Sequence, residues 1–410
     1  MKILGIISEY NPFHNGHLFH LKEALRLTGA DAAVAVMSGD FVQRGAPAFA
    51  DKYLRAQMAL EAGISVVVEL PVLSATASAE GFATGGISLL NALGCIDFLC
   101  FGSECGDLSL LTEAARILAE EPDGFQDLLR KELKKGQPFP AARKTALALF
   151  SGSPSMGNVL DSPNNILGVE YLKALQASGS HIRPFTLARQ ESGYHDLELS
   201  GSLASASSIR HAVRQTKSFP EEVLSSLPGF CARLLSEQYG KTFPIWENDL
   251  SLLLKCRLLQ ETAGSLCQYA DISPGLANRI VRNKNRFHSW DSFVSLLKTR
   301  ELTYTRISRG LLHILLGITK QDQHLFASQS CAPFARVLGF RKEQKDVLSK
   351  LAEASRIPLI LRGADIDRLS GPALACLQKD LYASDLYASI QTDRSGSIVP
   401  PEFGRKLLVV

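Results

Sequence analysis

Short apolar runs alternate with segments of helical periodicity along the N-terminal part of the chain. The apolar runs predict strands at residues 2–8, 32–37, 65–70 and 97–101. Hydrophobic positions that recur every three or four residues predict a helix that ends near Gly29, and further helices over residues 52–62 and 79–93. Strands that are apolar on both faces and alternate with helices indicate a parallel sheet covered by helices on both sides. The predicted fold class is therefore α/β, with a Rossmann-like parallel sheet.

The first helix follows the first strand through a turn whose Asn-Pro pair cannot continue a strand and disfavours helix. Two histidines, His14 and His17, occupy the opening turn of this helix, and residues three apart share a helix face. The same turn presents unpaired backbone N–H groups and the positive end of the helix dipole. These groups together form an anion site, whose usual occupant is a nucleotide phosphate, and Gly16 leaves room for close approach. A surface position for both histidines, or half of a metal site, is the alternative.

The alternation is interrupted at about residues 106–160, where amphipathic segments predict a helical insertion. A helix that begins at Ser162 and a strand that ends at Ala188 then resume the earlier pattern. Beyond residue 216 nearly all periodic segments are helical. We therefore predict a nucleotide-binding catalytic domain at residues 1–216 and a mainly α-helical domain at residues 217–410.

The composition is that of an ordinary globular protein, and 410 residues exceed one typical core. A formal net charge of +3 neither requires nor excludes a nucleic-acid partner. The eight cysteines follow no zinc or redox spacing, which is typical of reduced thiols. No apolar run is long enough to span a bilayer, and the first residues lead directly into a strand instead of a signal peptide. We therefore expect a cytoplasmic protein that does not bind membranes.

Polar side chains follow the second and fourth predicted strands at the points where these strands end. Asp40 and Arg44 come after the second strand, and Gly102 and Glu104 follow the fourth. Because ligands of open parallel sheets bind beyond the carboxyl ends of the strands, these residues and the two histidines are predicted to share one site. An arginine there can pair with phosphate, and Asp40 can orient an amine or a hydroxyl. Solvated loop positions are the alternative for both charges.

Two segments carry a resemblance to a known superfamily. The segment Asn11–His17 resembles the HxGH signature of the nucleotidylyltransferase superfamily, and Ser205–Arg210 is similar to its Ser-Ser-Thr-x-Ile-Arg segment. The closer match is to the bacterial tRNA(Met) cytidine acetate ligase family. The segments that carry this match are Ser8–His17, Met37–Gly45, Phe101–Glu104, Ser162–Leu167 and Gly193–Asp196.

The resemblance implies an ATP-dependent ligase that modifies tRNA. Members of that family activate acetate as acetyl-adenylate and transfer the acetyl group to the wobble cytidine of elongator tRNA(Met), which gives N(4)-acetylcytidine. The implied partners are elongator tRNA(Met) and acetate, with no DNA and no membrane. ATP is implied as a substrate, and we expect a Mg2+ ion that is held mostly by ATP and water, without protein metal ligands.

The resemblance also implies site residues, position by position. It assigns catalytic roles to His14, His17, Asp40 and Arg210. It does not say which of the two asparagines near residue 165 contacts the nucleotide. The implied ATP-binding residues are Ile7, Ser8, Glu9, Tyr10, Asn11, Pro12, Phe13, His14, Asn15, Gly16, His17, Leu18, His20, Gly102, Asn164, Asn165, Arg189, Ser207 and Ser208.

Several cations and one aromatic residue are candidates for contact with tRNA. Lysine or arginine in the first turn of a helix opposes the helix dipole, which favours a phosphate partner over a purely structural role. A tyrosine beside arginines suits RNA, because rings stack on bases and guanidinium groups bind phosphates. Packed or solvated positions are the alternative. The candidates are Arg44, Lys52, Arg55, Tyr304, Arg306 and Arg309.

Three other functions are compatible with the histidine motif. The first is an adenylyltransferase that leaves AMP on a small phosphorylated acceptor, and the second is a non-catalytic nucleotide- or RNA-binding protein. The third is a relative of class I aminoacyl-tRNA synthetases, against which the absence of a Lys-Met-Ser-Lys-Ser-like loop counts. The nature of the product distinguishes these functions.

Overall fold

The computed structural model describes residues 1–189 and 204–410. Ten short strands lie in these ranges. They are β1 Ile3–Ser8, β2 Ala32–Ser38, β3 Phe41–Val42, β4 Ala46–Pro47, β5 Val66–Leu70, β6 Phe98–Ser103, β7 Arg183–Ala188, β8 Ala335–Phe340, β9 Leu359–Ile360 and β10 Leu408–Val409.

One eight-stranded sheet forms the centre of the molecule, with the order β10-β8-β5-β2-β1-β6-β7 and β9 paired to β8. The five strands from β5 to β7 in this order are parallel, and β1 pairs with β2 so that Gly5 faces Val34. Every residue of β2 and β5 is buried, because both faces of the sheet are covered by helices. The predicted α/β class with a parallel sheet is therefore confirmed.

Twenty α-helices surround this sheet in the described residues, and six short 3-10 turns connect some of them. No helix in this part of the chain is both long and apolar enough to cross a membrane. The helices are α1 Asn15–Thr28, α2 Lys52–Glu61, α3 Val72–Ala75, α4 Ala79–Ala92, α5 Leu108–Glu120, α6 Asp123–Lys134, α7 Phe139–Ser151, α8 Pro154–Asn158, α9 Pro163–Ala177, α10 Ala206–Thr216, α11 Glu221–Ser225, α12 Gly229–Gln238, α13 Ser251–Gln260, α14 Ala263–Leu266, α15 Pro274–Asn283, α16 Trp290–Leu297, α17 Tyr304–Leu316, α18 Lys320–Ser328, α19 Lys345–Ala354 and α20 Gly371–Ser395.

The C-terminal part of the chain returns to the sheet, which the sequence did not indicate. Strand β8 pairs antiparallel with β5, and β9 and β10 then pair parallel with β8. The sheet is therefore mixed at one edge, although the sequence predicted a parallel one. Strands of two residues give no periodic signal, and pairing between distant segments leaves no local pattern.

The helices α13 to α18 enclose a hydrophobic core around Trp290 and Leu311, and Phe41 and Val72 from the N-terminal part belong to the same core. Hydrogen bonds reinforce this junction, because the indole N–H of Trp290 donates to Ser308 at 3.0 Å and the Ser308 hydroxyl donates to the Gly45 carbonyl at 2.9 Å. The helical part is thus packed directly against the loop that follows β2.

A buried ion cluster joins the C-terminal segments to the sheet. It consists of Lys52 at the start of α2, Glu69 on β5, Arg336 on β8 and Glu402, all of them less than a tenth exposed. The Lys52 ammonium lies 2.7 Å from an oxygen of Glu69, 2.7 Å from Glu402 and 2.7 Å from the Ser384 hydroxyl on α20. Burial alone would lower the pKa of Lys52, but the carboxylates of Glu69, Glu402 and Asp40 outweigh it and raise that pKa. Lys52 therefore stays charged and connects three distant segments.

We expect the substitution Lys52→Ala to lower the free energy of unfolding by about 3–5 kcal/mol, because it leaves buried carboxylates without their cation. Denaturant titration followed by circular dichroism measures this loss. Arg116→Ala is the control, since it removes an arginine that pairs with glutamates on the exposed face of α5. Equal stability losses in the two variants would contradict a role of the cluster in holding the C-terminal segments to the sheet.

Candidate active site

Two imidazoles cap the N-terminus of α1. The Nδ1 atom of His14 accepts the N–H of Gly16 at 3.0 Å, and the Nδ1 atom of His17 accepts the N–H of His14 at 3.3 Å. This is a capping box in which the rings take the places usually held by a hydroxyl and a carboxylate. The ring centroids of His14 and His17 lie 3.8 Å apart, so the two rings stack at the carboxyl end of β1.

The caps determine the protonation of both rings. A neutral imidazole that accepts a hydrogen bond at Nδ1 carries its proton on Nε2, so each ring offers one N–H donor. Burial, with help from the positive charges of Arg189 and Arg210, lowers the pKa of His14 to about 3. Burial and the neighbouring His14 likewise hold the pKa of His17 well below its usual value. Both rings are therefore neutral donors at physiological pH.

The turn between β1 and α1 is held from several sides. Tyr10 adopts a φ of 47°, in the left-handed region, and its buried ring packs on Phe13 at 4.8 Å and against the edge of His17 at 5.0 Å. The side-chain oxygen of Asn11 accepts the N–H of Phe49 at 2.7 Å, and its carbonyl accepts from Arg210 at 2.5 Å. These contacts fix the approach to the helix N-terminus.

A cavity of about 310 Å³, the first cavity, lies in front of this turn at the carboxyl ends of β1, β6 and β7. It brings together many residues that the sequence predicted from distant segments. The predicted ATP-binding residues that line it are Ile7, Ser8, Glu9, Tyr10, Asn11, His14, Gly16, His17, His20, Gly102, Asn164 and Arg189.

The first cavity also has an apolar wall that the sequence reasoning missed. The wall is lined by Phe82, Phe101, Leu167, Tyr171 and Leu187. In the sequence these positions have the same periodicity as the core, because a side chain at a strand end looks the same whether it faces a helix or a cavity. Only the number of apolar residues that end β6 and β7 gave a weak signal.

Other predicted ATP residues lie outside the lining. Pro12 and Phe13 are buried in the turn, and Asn15 and Leu18 belong to α1 without lining the first cavity. The Ser208 hydroxyl donates to the Ser205 carbonyl at 2.9 Å, and its N–H donates to the Ser205 hydroxyl at 3.1 Å. Ser208 is thus engaged in capping α10. Neither Ser207 nor Ser208 lines the cavity, whereas their neighbour Ala206 does.

Two arginines bring positive charge to the site. Arg189 lines the first cavity, and its backbone N–H donates to the Ser103 carbonyl at 2.9 Å, directly after β7. Gly102 lies beside it, and a Cβ at this glycine would stand 3.2 Å from the Arg189 side chain. Arg210 comes from α10 and reaches the turn that carries the histidines. The Gly193–Asp196 segment that contributed to the sequence resemblance lies outside the described residues.

The adjacent asparagines have different environments. Asn165 is buried, and its side-chain oxygen accepts the N–H groups of Glu104 at 2.9 Å and Cys105 at 3.1 Å. Asn164 lines the first cavity, and its amide donates to a Glu104 oxygen at 2.7 Å. Asn165 therefore stabilises the loop after β6, and the geometry favours Asn164 as the residue that meets a nucleotide.

The structure corrects the catalytic role predicted for Asp40. This carboxylate is buried, accepts the backbone N–H of Lys52 at 2.8 Å and lies 3.8 Å from the Lys52 ammonium. Burial raises its pKa to about 6. Asp40 is not among the residues that line the first cavity, so its contacts hold the loop after β2 to the start of α2.

Two of the predicted tRNA contacts are corrected for the same reason. Lys52 and Arg55 are fully buried, and an RNA phosphate cannot reach them in the folded protein. Arg55 donates to the carbonyls of Ala50 at 2.9 Å, Glu9 at 2.6 Å and Ser38 at 3.0 Å. The dipole argument failed because Asp51, the N-cap of α2, and the buried carboxylates around Lys52 compensate these cations.

The remaining tRNA candidates are accessible to different degrees. Arg44 is exposed at the rim of the first cavity, and Arg306 is exposed on α17. The hydroxyl of Tyr304 donates to Asp291 at 2.7 Å, which leaves its ring partly exposed. Arg309 is largely covered and pairs with Asp271 at 2.9 Å. Their role in tRNA binding stays a prediction.

Known proteins resemble this chain over its whole length. A family model described as HIGH Nucleotidyl Transferase matches residues 1–397. A protein named tRNA(Met) cytidine acetate ligase from Acetivibrio thermocellus is 38% identical over 415 residues and covers 100% of both chains. The protein of the same name from Thermoanaerobacter sp. is 41% identical over 389 residues, which cover 94% of this chain and 95% of the relative.

Solved structures of Thermotoga maritima TmcAL are also similar. Its apo form I aligns with a TM-score of 0.94 and 32% identity, and the form bound with alpha-thio ATP aligns with a TM-score of 0.90, each over 100% of both chains. The sheet, the histidine-capped helix and the cavity beside it thus define the nucleotidyl transferase class of α/β proteins. Within that class, the chain belongs to the tRNA(Met) cytidine acetate ligase family.

We expect the imidazoles of His14 and His17 to remain neutral at about pH 5 in the protein without nucleotide, below the unperturbed pKa of about 6.5. Long-range ¹H–¹⁵N NMR spectra measure this and should show the proton on Nε2 in both rings. Since unfolded histidine binds protons from about pH 6.5 downwards and folded His14 only near pH 3, this histidine lowers folding stability as the pH falls through that range. An imidazolium signal from either ring at about pH 5 would contradict the proposed caps.

The two asparagines allow a matched comparison. Asn165→Ala should lower the free energy of unfolding by about 1–3 kcal/mol, because it leaves buried backbone N–H groups unpaired. Asn164→Ala removes the same atoms beside the cavity and should mainly weaken ATP binding. Thermal unfolding and calorimetric titration with a non-hydrolysable ATP analogue measure the two effects. The opposite assignment of the losses would exchange the roles of the two residues.

Proposed function

We propose that this protein activates acetate with ATP to form acetyl-adenylate and transfers the acetyl group to the wobble cytidine of elongator tRNA(Met), which yields N(4)-acetylcytidine. The observation that carries the proposal is the pair of neutral imidazole donors at a helix N-terminus, facing a cavity that Arg189 also lines. A relative of the same fold is known bound to alpha-thio ATP at 32% identity. The names of the relatives supply acetate and tRNA(Met) as substrates.

The first step is a displacement at the α-phosphorus of ATP. A carboxylate oxygen of acetate forms a bond to this phosphorus, while the bond to the bridging oxygen breaks and pyrophosphate leaves with the electron pair. Such a reaction depends on positioning and on stabilising charge on the phosphoryl oxygens. His14 and His17 donate Nε2–H bonds to these oxygens, and Arg189 and Arg210 neutralise the departing pyrophosphate.

The apolar wall of the first cavity fits the remainder of the nucleotide. Phe101, Leu167 and Tyr171 provide a surface for a purine ring, as is usual in nucleotide pockets. The same wall limits the access of water to the bound intermediate. Acetyl-adenylate is a mixed anhydride that water hydrolyses, so this exclusion preserves it until the acceptor arrives.

The described residues also bear on the expected Mg2+ ion. In residues 1–189 and 204–410 no group of three or more His, Cys, Asp or Glu side chains converges in a way that could hold a metal. A magnesium ion that accompanies ATP would therefore take its ligands from phosphate oxygens and water, as Mg2+ commonly does. When bound, it supplies positive charge that withdraws electrons from the pyrophosphate.

The second step joins the acetyl group to the base. The exocyclic amine of cytidine attacks the acetyl carbon and loses a proton, a C–N bond forms, and the C–O bond to AMP breaks with AMP taking the electron pair. The step needs no nucleophilic side chain, since the amine itself is the nucleophile. Because tRNA is the acceptor, we propose that the protein acts in the cytoplasm.

We expect His14→Ala and His17→Ala each to reduce acetate-dependent exchange of pyrophosphate into ATP by roughly 10²–10³-fold, since each removes one donor to the transition state. Radiolabelled pyrophosphate measures the exchange. His288→Ala, at an exposed position before α16, is the control and should exchange normally. Undiminished exchange in both cavity variants would refute the role of the histidine pair.

The product separates the proposed ligase from an adenylyltransferase. When tRNA is incubated with the protein, ATP and isotopically labelled acetate, mass spectrometry of its nucleosides should reveal labelled N(4)-acetylcytidine. AMP should accumulate in equal amount. A stable AMP adduct of a small acceptor, or ATP that is bound without being consumed, would instead establish one of the other two functions.

A further inference from the structure

A second cavity of about 190 Å³ lies at the junction between the sheet and the helical part. It shares a wall with the first cavity, because Glu9, Asn11 and Arg44 line both. A group bound in the second cavity is therefore separated from a nucleotide in the first only by these side chains. The activation step does not use this space, which calls for an occupant of its own.

The second cavity has aromatic walls. Trp246 from the segment before α13 and Tyr304 at the start of α17 line it from the helical side. The Trp246 ring packs on Phe49 at 5.4 Å, and the guanidinium of Arg214 lies 5.2 Å from its centre on one side. Aromatic rings of this kind are the usual platforms for an unstacked nucleobase.

Hydrogen bonds hold these walls in place without a ligand. Asp291 accepts the Tyr304 hydroxyl at 2.7 Å and the guanidinium of Arg214 at 2.8 Å. Across the junction, the N–H of Ile245 donates to the Phe49 carbonyl at 3.2 Å. The second cavity is therefore preformed, and a base that entered it would meet fixed surfaces.

The charges around the second cavity match a nucleotide that carries an exocyclic amine. Arg44 and Arg210 line it and suit the phosphates that flank a base. Glu9, on the shared wall, accepts the backbone N–H of Gln43 with one carboxylate oxygen at 3.0 Å. A glutamate carboxylate is a suitable acceptor for the amino group of cytosine, which thymine and uracil lack.

We propose that the second cavity receives the acceptor base. The base leaves the anticodon stack, lies against Trp246 and Tyr304, and directs its amino group through the shared wall, past Glu9, toward the activated acetyl group. A single extruded nucleotide is the form in which RNA can enter so small a space. This inference rests on the proposed function and adds to it the position and selectivity of the acceptor.

The test separates acetyl transfer from acetate activation in the same protein. Thr305→Phe places a ring in the second cavity, which Thr305 lines without lining the first. The ratio of acetyl transfer to pyrophosphate exchange should fall about tenfold or more, as expected when a stacked base is displaced. Thr216→Phe makes the same chemical change at an exposed position on α10 and should keep the wild-type ratio.

A second variant works without filling the cavity. Trp246→Leu removes the stacking surface and should lower the same ratio, while hydroxylamine still traps the acetyl group as acetohydroxamate. Exchange and trapping also report that both variants are folded. Unchanged ratios in Thr305→Phe and Trp246→Leu would overturn the inference, and so would a parallel loss of exchange and transfer. Absence of exchange in the wild-type protein would refute the proposed function itself, a distinct outcome.

Discussion

The N-terminus of α1 is capped by imidazole rings where most helices use a hydroxyl or a carboxylate. This choice has a consequence for charge. A carboxylate cap would repel a phosphate, whereas an imidazole that caps with Nδ1 still presents an N–H donor at Nε2. The same two side chains thus satisfy the backbone of the helix and provide the donors of the site.

Burial makes this arrangement work. The rings of His14 and His17 lose most of their contact with water beside Tyr10 and Phe13, and the nearby Arg189 and Arg210 disfavour a further positive charge. Protonated rings could not accept the backbone N–H groups that they now accept, so protonation would break the caps. Net positive charge at the site comes instead from arginines, which remain charged at any physiological pH.

The C-terminal part of the chain has two roles in this design. Its strands extend the sheet beyond β5, and its buried ion cluster holds the loop after β2 against α20 through Lys52. Its helices supply the far side of the second cavity, while the sheet supplies the near side. Reaction centre and acceptor cavity therefore meet where the two parts of the chain pack together, and neither part contains both.

The sequence by itself determined the alternation of strands and helices up to Ala188, the parallel order of the central strands and the histidine pair at the start of α1. These features depend on local periodicity and on residues adjacent in the chain, so they are legible in one dimension. The tertiary structure alone decided that Asp40, Lys52 and Arg55 are buried partners of the protein itself. It also decided that β8 to β10 join the sheet and that Asn164, not Asn165, lines the cavity. The physical reason is the same in each case: whether a charge or a strand edge meets solvent, ligand or protein depends on segments that are distant in sequence, and those contacts exist only after the chain has folded.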